Sequence, residues 1–382
     1  MTHLLFKLDL SGIGALRVRN VWSRLLLLCL LGPGTGVAQA ASQLFTMTNS
    51  VSGNAVVSFA VDRHGALTPD VIYPTGGVGL GEGLGNSHGV VVSPNRQWLL
   101  VVNAGSHSIT VFRAGSNGLK RTDLIGSAGL KPVSIAIRKN LVYVLNADSN
   151  SLAGFRLNAN GRLTLLQGSI RSFGIGQSGA AQISFTPDGR SLIVSEKTAN
   201  QVLLFGLNAK GLPTTAQPVS YPSPRSTPYG LAFSHRTTLL VVEAVGGAAG
   251  ASALASYRIG KTGWLVDQRD DLPTYQTAAC WVEVTPNSRF AYITNAQGHT
   301  VTGVRIKNNG GLTLLDQDGV TAFLGIDSHP TDLAISRHGK WMYVLSRSEA
   351  GIYRLDIGAD GRLTVKGLTQ GVPQSANGLA FR

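Results

Sequence analysis

Apolar positions in this chain fall into short runs, and the runs recur. Within residues 87–112, SHGVVVSPNRQWLLVVNAGSHSITVF, Val90 to Val92 form a first run and Trp98 to Val102 a second. Between them Ser93-Pro94-Asn95 is a turn signal, because Pro fixes φ and Asn tolerates turn geometry. A polar stretch from Asn103 to Ser108 follows, and Ile109 to Phe112 then alternates at the period of a half-buried strand. Gly118-Leu119 opens a fourth, weaker strand. This pattern predicts one antiparallel sheet of short strands joined by tight turns.

The unit repeats along nearly the whole chain. Its second strand reads LFTMTN, WLLVVN, LVYVLN, SLIVSE, TLLVVE, FAYITN and WMYVLS, ending at Asn49, Asn103, Asn146, Glu196, Glu243, Asn295 and Ser346. These ends lie 43 to 54 residues apart, the length of one four-stranded blade. Third strands end on an aromatic at Phe59, Phe112, Phe155, Phe205, Tyr257 and Tyr353, with Val304 the exception, and a Gly-Leu or Gly-x-Leu hairpin signal follows most of them. Seven such units arranged radially predict an all-β, seven-bladed β-propeller. The first unit lacks an inner strand, while the chain ends in NGLAF, a match to YGLAF at Tyr229. The C-terminal strand is therefore expected to join the first blade, removing two exposed sheet edges.

Residues 1–40 stand outside the repeat. Lys7, Arg17, Arg19 and Arg24 precede the apolar run Leu25 to Leu31, which is too short to span a bilayer, and Ala38-Gln39-Ala40 has the form of a cleavage site. This reads as a signal peptide cut near Ala40, with residues 41–382 forming the propeller and the mature protein in the periplasm or secreted. The leader takes Cys29 with it, leaving only Cys280, so the ring must hold without internal disulfides. Net charge is +13, of which the leader contributes +3. The basic residues are scattered without a run or an interleaved aromatic patch, which argues for a solvated surface and against nucleic-acid recognition. Residues 214–228 read as the connection from the fourth blade to the fifth, and the small-residue stretch near 244–255 as a loop insertion.

In a propeller the first strand of each blade lines the channel, and its start shares a face with the end of the second strand. That places His88, Gln182, Tyr229, Trp281 and Asp332 at one channel mouth, together with Asn103, Glu196, Glu243 and Arg347 from second strands. His88 has the pKa of a general base. Glu196 and Glu243 are carboxylates where other units place Asn, while Tyr229 and Trp281 suit either stacking on a ring-shaped ligand or filling the channel.

The repeats SHGVVVSPNRQWLLVVN, ISFTPDGRSLIVSEK and VEVTPNSRFAYITN resemble those of the seven-bladed lactonase propellers, which include 6-phosphogluconolactonase-like proteins and carboxymuconate cyclases. The resemblance implies opening or closing a lactone ring without a metal or other cofactor, through His, Arg and Glu at the channel. His88 matches the family's early His, and Glu196 falls one residue from its Glu. Where the family reads Gly-Pro-Arg-His, this chain has Gly179-Ala180-Ala181-Gln182, so that Arg and that His are absent. A later family Arg is Ala296 here, with Arg347 as a substitute cation.

Two functions are consistent with these residues. In one, a monomer hydrolyses a small-molecule lactone or another anionic ligand: His88 activates water, Glu196 or Glu243 orients it, and Gln182 with Asn103 donates to the oxyanion. In the other, the ring is a binding scaffold for a small ligand, glycan or protein loop.

Overall fold

The computed structural model describes residues 42–382 apart from 175–177, 235–236 and 262–263. The expected leader and its cut near Ala40 lie outside the described residues. The described strands form seven antiparallel sheets. Each repeat predicted from the apolar runs is one blade, with the second strands WLLVVN, LVYVLN and FAYITN observed at Trp98–Asn103, Leu141–Asn146 and Phe290–Asn295. Their residues are buried on both faces because each sheet packs between two neighbours, which explains why these runs are continuously apolar rather than alternating.

The ring closes as the terminal repeat predicts. Asn377–Phe381 pairs antiparallel with Ser42–Met47, placing Leu44 opposite Phe381 and Met47 opposite Asn377. Arg382 secures the closure by donating to Gln43 Oε1 at 2.9 Å and to the Ala114 carbonyl at 3.1 Å in the second blade. The buried third-strand aromatics Phe59, Phe112, Phe155 and Phe205 fill the space between blades. Burying a side chain of that size stabilises the fold by roughly 2–3 kcal/mol relative to exposure.

Buried tyrosines latch one blade to the hairpin of the next. Tyr143 donates to Gly211 O at 2.7 Å, Tyr292 to Gly361 O at 2.7 Å and Tyr343 to Gly65 O at 2.9 Å. These glycines belong to the recurrent Gly-x-Leu signal. Gly211 has a φ of +81°, a conformation that glycine adopts without strain.

Two connections differ from expectation. Within residues 214–228, Val219–Pro222 is the outer strand of the fourth blade, paired with Gln201 to Leu204, so this stretch is not merely a link. The small-residue stretch enters strand Ala253–Ile259 at Ala253, and only its first part is a loop with a short turn at Val245–Gly247. Ala253, Leu254 and Ala255 at its start are fully buried, since the strand is covered on both sides.

Candidate functional site: a capped mouth and a polar channel

The channel mouth is covered by the connection from the first blade to the second, residues 75–89. Its start is tied to the first blade, where Gly79 and Gly81 donate to the carbonyls of Ser50 and Asn49, both at 2.7 Å. Its end crosses the channel. Asn86 donates through Nδ2 to the Val133 carbonyl of the third blade and accepts from Trp281 Nε1 of the sixth at 2.6 Å. Ser87 N donates to Ala181 O of the fourth at 3.2 Å, and Lys197 Nζ donates to Gly85 O. Gly85 has a φ of +60°, which glycine adopts without strain where the chain turns down to the channel.

Beneath this cap Tyr229 and Trp281 are buried with ring centroids 5.2 Å apart, and Lys197 Nζ sits 4.7 Å from the Tyr229 ring centre. Of their two expected uses, the geometry shows channel filling. Burial lowers the Lys197 pKa to about 8 and pushes the Cys280 thiol up to about 12, so Cys280 is an inert packing group. Arg347 lies on this capped side, close to Gly83, and its Nε donates to Gln374 O at 2.9 Å.

His88 takes part from below the cap. It has a φ of +63°, an uncommon conformation for a non-glycine residue, and the inner strand of its blade starts only at Val90. Its carbonyl accepts from Ile135 N at 3.0 Å, and its half-buried ring lines a cavity of ≈ 450 Å³ in the channel. This cavity extends from His88 and Glu283 to the far ends of the inner strands, at Arg138, Pro187 and Phe381. It therefore faces away from the capped mouth.

Three partners from other blades gather round the imidazole. Gln182 Nε2 of the fourth blade lies 3.2 Å from His88 Nδ1. Glu283 Oε1 of the sixth lies 3.5 Å from His88 Nε2, with 36% of its side chain exposed to the cavity. Asp332 of the seventh is 5% exposed and accepts from its own blade at Leu333 N, 3.0 Å away. Burial raises the Asp332 pKa to about 7, with the charge of Glu283 adding to it and that of His88 opposing. For His88, burial opposes protonation, but the adjacent Glu283 carboxylate, helped by the charge of Asp332, outweighs it and raises the pKa.

Of the nine residues picked from sequence, the structure thus brings together His88, Gln182 and Asp332. Glu196 and Glu243 are not brought to His88. Both are fully buried at second-strand ends, where Glu196 Oε2 accepts from Gln201 Nε2 at 2.6 Å, and Glu243 Oε1 accepts from Ser223 Oγ at 2.6 Å and Arg225 N at 3.0 Å. Asn103 does the same work in its blade, donating to Ser108 and Thr110 hydroxyls at 3.2 and 2.9 Å and accepting from Asn54 at 3.0 Å. With those protons committed it has none to give an oxyanion. The second-strand ends fasten loops, although Glu196 Oε1 and Glu243 Oε2 are buried without a hydrogen-bond partner among the described residues and burial raises the Glu243 pKa.

Glu283 is the site residue missing from the sequence reading. The signal was present: along the channel-facing row of inner strands, Val91, Ala136, Ser184, Ala232, Ala334 and Ala380 are small or apolar, and Glu283 is the carboxylate. Among the described residues, no three His, Cys, Asp or Glu side chains are grouped so as to hold a metal ion.

Comparison with known proteins agrees with this architecture. The family described as Lactonase, 7-bladed beta-propeller matches residues 37–271. A 6-phosphogluconolactonase of Yersinia pestis (strain Pestoides F) is 26% identical over 176 residues, covering 44% of this chain and 51% of the relative. One from Yersinia enterocolitica is 24% identical over 220 residues, covering 55% and 63%. The chain thus spans about half the length of the relatives it matches. Among solved structures, a Lactobacillus plantarum protein superposes with a TM-score of 0.72 at 17% identity, covering 90% of this chain and 99% of that one. The periplasmic gluconolactonase of Pseudomonas aeruginosa superposes with a TM-score of 0.69 at 17% identity, covering 89% and 98%. At such identities the structural likeness is one of fold. With the family match covering more than half of its length, the chain belongs to the lactonase family of seven-bladed β-propellers.

Proposed function

We propose that this propeller hydrolyses a lactone in the channel cavity, with the His88–Glu283 pair moving the proton. The observation that carries this reading is that pair: an imidazole and a carboxylate from opposite sides of the ring, 3.5 Å apart, both lining one ≈ 450 Å³ cavity. The volume suits a small ring-shaped substrate. In the reaction, the water oxygen bonds to the lactone carbonyl carbon while its proton passes to the pair. The ring C–O bond then breaks, and the leaving oxygen takes the proton back, giving a hydroxy acid. Sugar and carboxy lactones are the substrate class, and Arg138 on the cavity rim favours an anionic one. A turnover screen of such lactones, with and without chelator, tests the proposal; hydrolysis that survives chelation is expected.

The Ala181-Gln182 pair, in place of the family's Arg and His, favours a second reading as a binding scaffold. No turnover of any lactone, together with a ligand that protects His88 from chemical modification, would replace the first reading by the second. We further propose export, on the strength of the leader and its Ala38-Gln39-Ala40 site. A structural neighbour is a periplasmic enzyme, and among the described residues no helix is long and apolar enough to cross a membrane. N-terminal sequencing of envelope-fraction protein should find the chain starting within a few residues of Ala41; intact Met1 on cytoplasmic protein would overturn this.

A further inference from the structure

Gln182 has three polar neighbours, and together they leave its amide one orientation. Its Oε1 accepts from Leu231 N at 2.7 Å and its Nε2 donates to Leu231 O at 2.9 Å, across the gap between the fourth and fifth blades. Rotating the amide by half a turn would set N–H against N–H and oxygen against oxygen, losing both bonds inside a residue that is 1% exposed. The second proton on Nε2 therefore faces His88 Nδ1, 3.2 Å away. An amide nitrogen cannot accept, so Nδ1 must be the acceptor. The proton of the neutral imidazole is then on Nε2, directed at Glu283 and the cavity. At 3.5 Å the contact with Glu283 is too long to commit that proton.

We infer that Gln182 is the positioning residue that fixes His88 as a hydrogen-bond donor toward the cavity, leaving Glu283 as the group that accepts a proton. The inference rests on the hydrolase reading for its chemistry and reassigns the roles within it. Glu283, not His88, takes the proton from the attacking water as the new C–O bond forms. His88 Nε2–H donates to the carbonyl oxygen as it becomes an oxyanion, and Glu283 returns its proton to the ring oxygen when that C–O bond breaks. Gln182 thus has a use in place of the family's His at this position, which the sequence shows only as a loss. An amide held from both sides by one backbone group fixes a tautomer, whereas a second imidazole could itself change protonation state.

The test reads the tautomer directly. In protein labelled with ¹⁵N histidine, with His88 assigned from the spectrum of His88→Gln, long-range ¹H–¹⁵N correlations above the ring's pKa should show a proton on Nε2. Nδ1 should resonate as a hydrogen-bonded acceptor rather than a free one. Gln182→Glu exchanges the donor for an acceptor, and should move the proton to Nδ1 and raise the His88 pKa. Should that variant fail to fold, the wild-type spectrum still decides: a protonated Nδ1, or an Nδ1 with the resonance of a free acceptor, overturns the inference. So does an unchanged tautomer in folded Gln182→Glu. For the roles, Glu283→Gln should lower kcat on the order of a hundredfold, and His88→Gln, which keeps a donor, should lose less; the reverse order overturns the assignment. The expected tautomer in a protein that turns over no lactone would leave the clamp standing and remove only the hydrolase reading.

Discussion

Asp332 offers the sharpest test of the channel's electrostatics, because its energy can be worked out from its surroundings. The carboxyl is 5% exposed, faces His88 and Glu283, and is bonded to the backbone amides of Leu333 and Leu379. Burial, reinforced by the negative charge of Glu283, lifts its pKa from 3.8 to about 7. A raised pKa in the folded state means that folding binds a proton, so the stabilisation is fully present below about pH 4 and is lost as pH rises through about 7. At about 1.4 kcal/mol per pH unit, a shift of this size is worth about 4 kcal/mol, of which about 3 kcal/mol disappears between pH 5 and pH 8. His88, also raised, works in the same direction over the upper part of that range. Asp332→Asn keeps the shape and the acceptor for Leu333 but cannot ionise. The variant should match the wild type in urea denaturation near pH 3, exceed it by about 1.5 kcal/mol at pH 5 and by about 4 kcal/mol at pH 8. Equal pH dependence in the two proteins would show that Asp332 ionises freely, and would refute this account of a buried, carboxylate-crowded channel.

Two further predictions concern the ring. Removing residues 377–382 takes away the closing strand and the Arg382 bonds to the first two blades, so the truncated protein should melt many degrees lower and aggregate; an unchanged melting temperature would mean that the ring closes otherwise. Tyr143→Phe leaves the Gly211 carbonyl without its 2.7 Å partner and should cost about 1–2 kcal/mol in chemical denaturation, whereas a neutral substitution would show that the latch is dispensable.

The ring was legible in sequence because each blade must bury a second strand on both faces, which imprints LVYVLN-like runs at regular intervals, and because the NGLAF tail matched inner strands that had partners. The site was legible only in part. Aligning inner strands put His88, Gln182 and Asp332 on the channel, where the structure has them side by side, since those positions follow from strand direction alone. Glu283 was not legible as a partner because it lies deeper than the strand entries, and His88 reaches it only by turning through its positive φ. Glu196 and Glu243 misled because a carboxylate at a strand end reads the same whether it faces substrate or fastens a loop. The cap was invisible: residues 75–89, with a glycine at nearly every second position, look like any connection until Asn86 and Gly85 are seen meeting the inner strands.

The central claim is that chemistry occurs in the cavity below the cap, and not among the second-strand carboxylates. Once a turned-over lactone is in hand, kcat of Glu283→Gln and of Glu196→Gln,Glu243→Gln on that substrate decides between the two places. Loss on the order of a hundredfold in the first protein, with turnover within a few-fold of wild type in the second, is the expected result. Wild-type turnover in Glu283→Gln together with loss of activity in the folded double variant would contradict the claim.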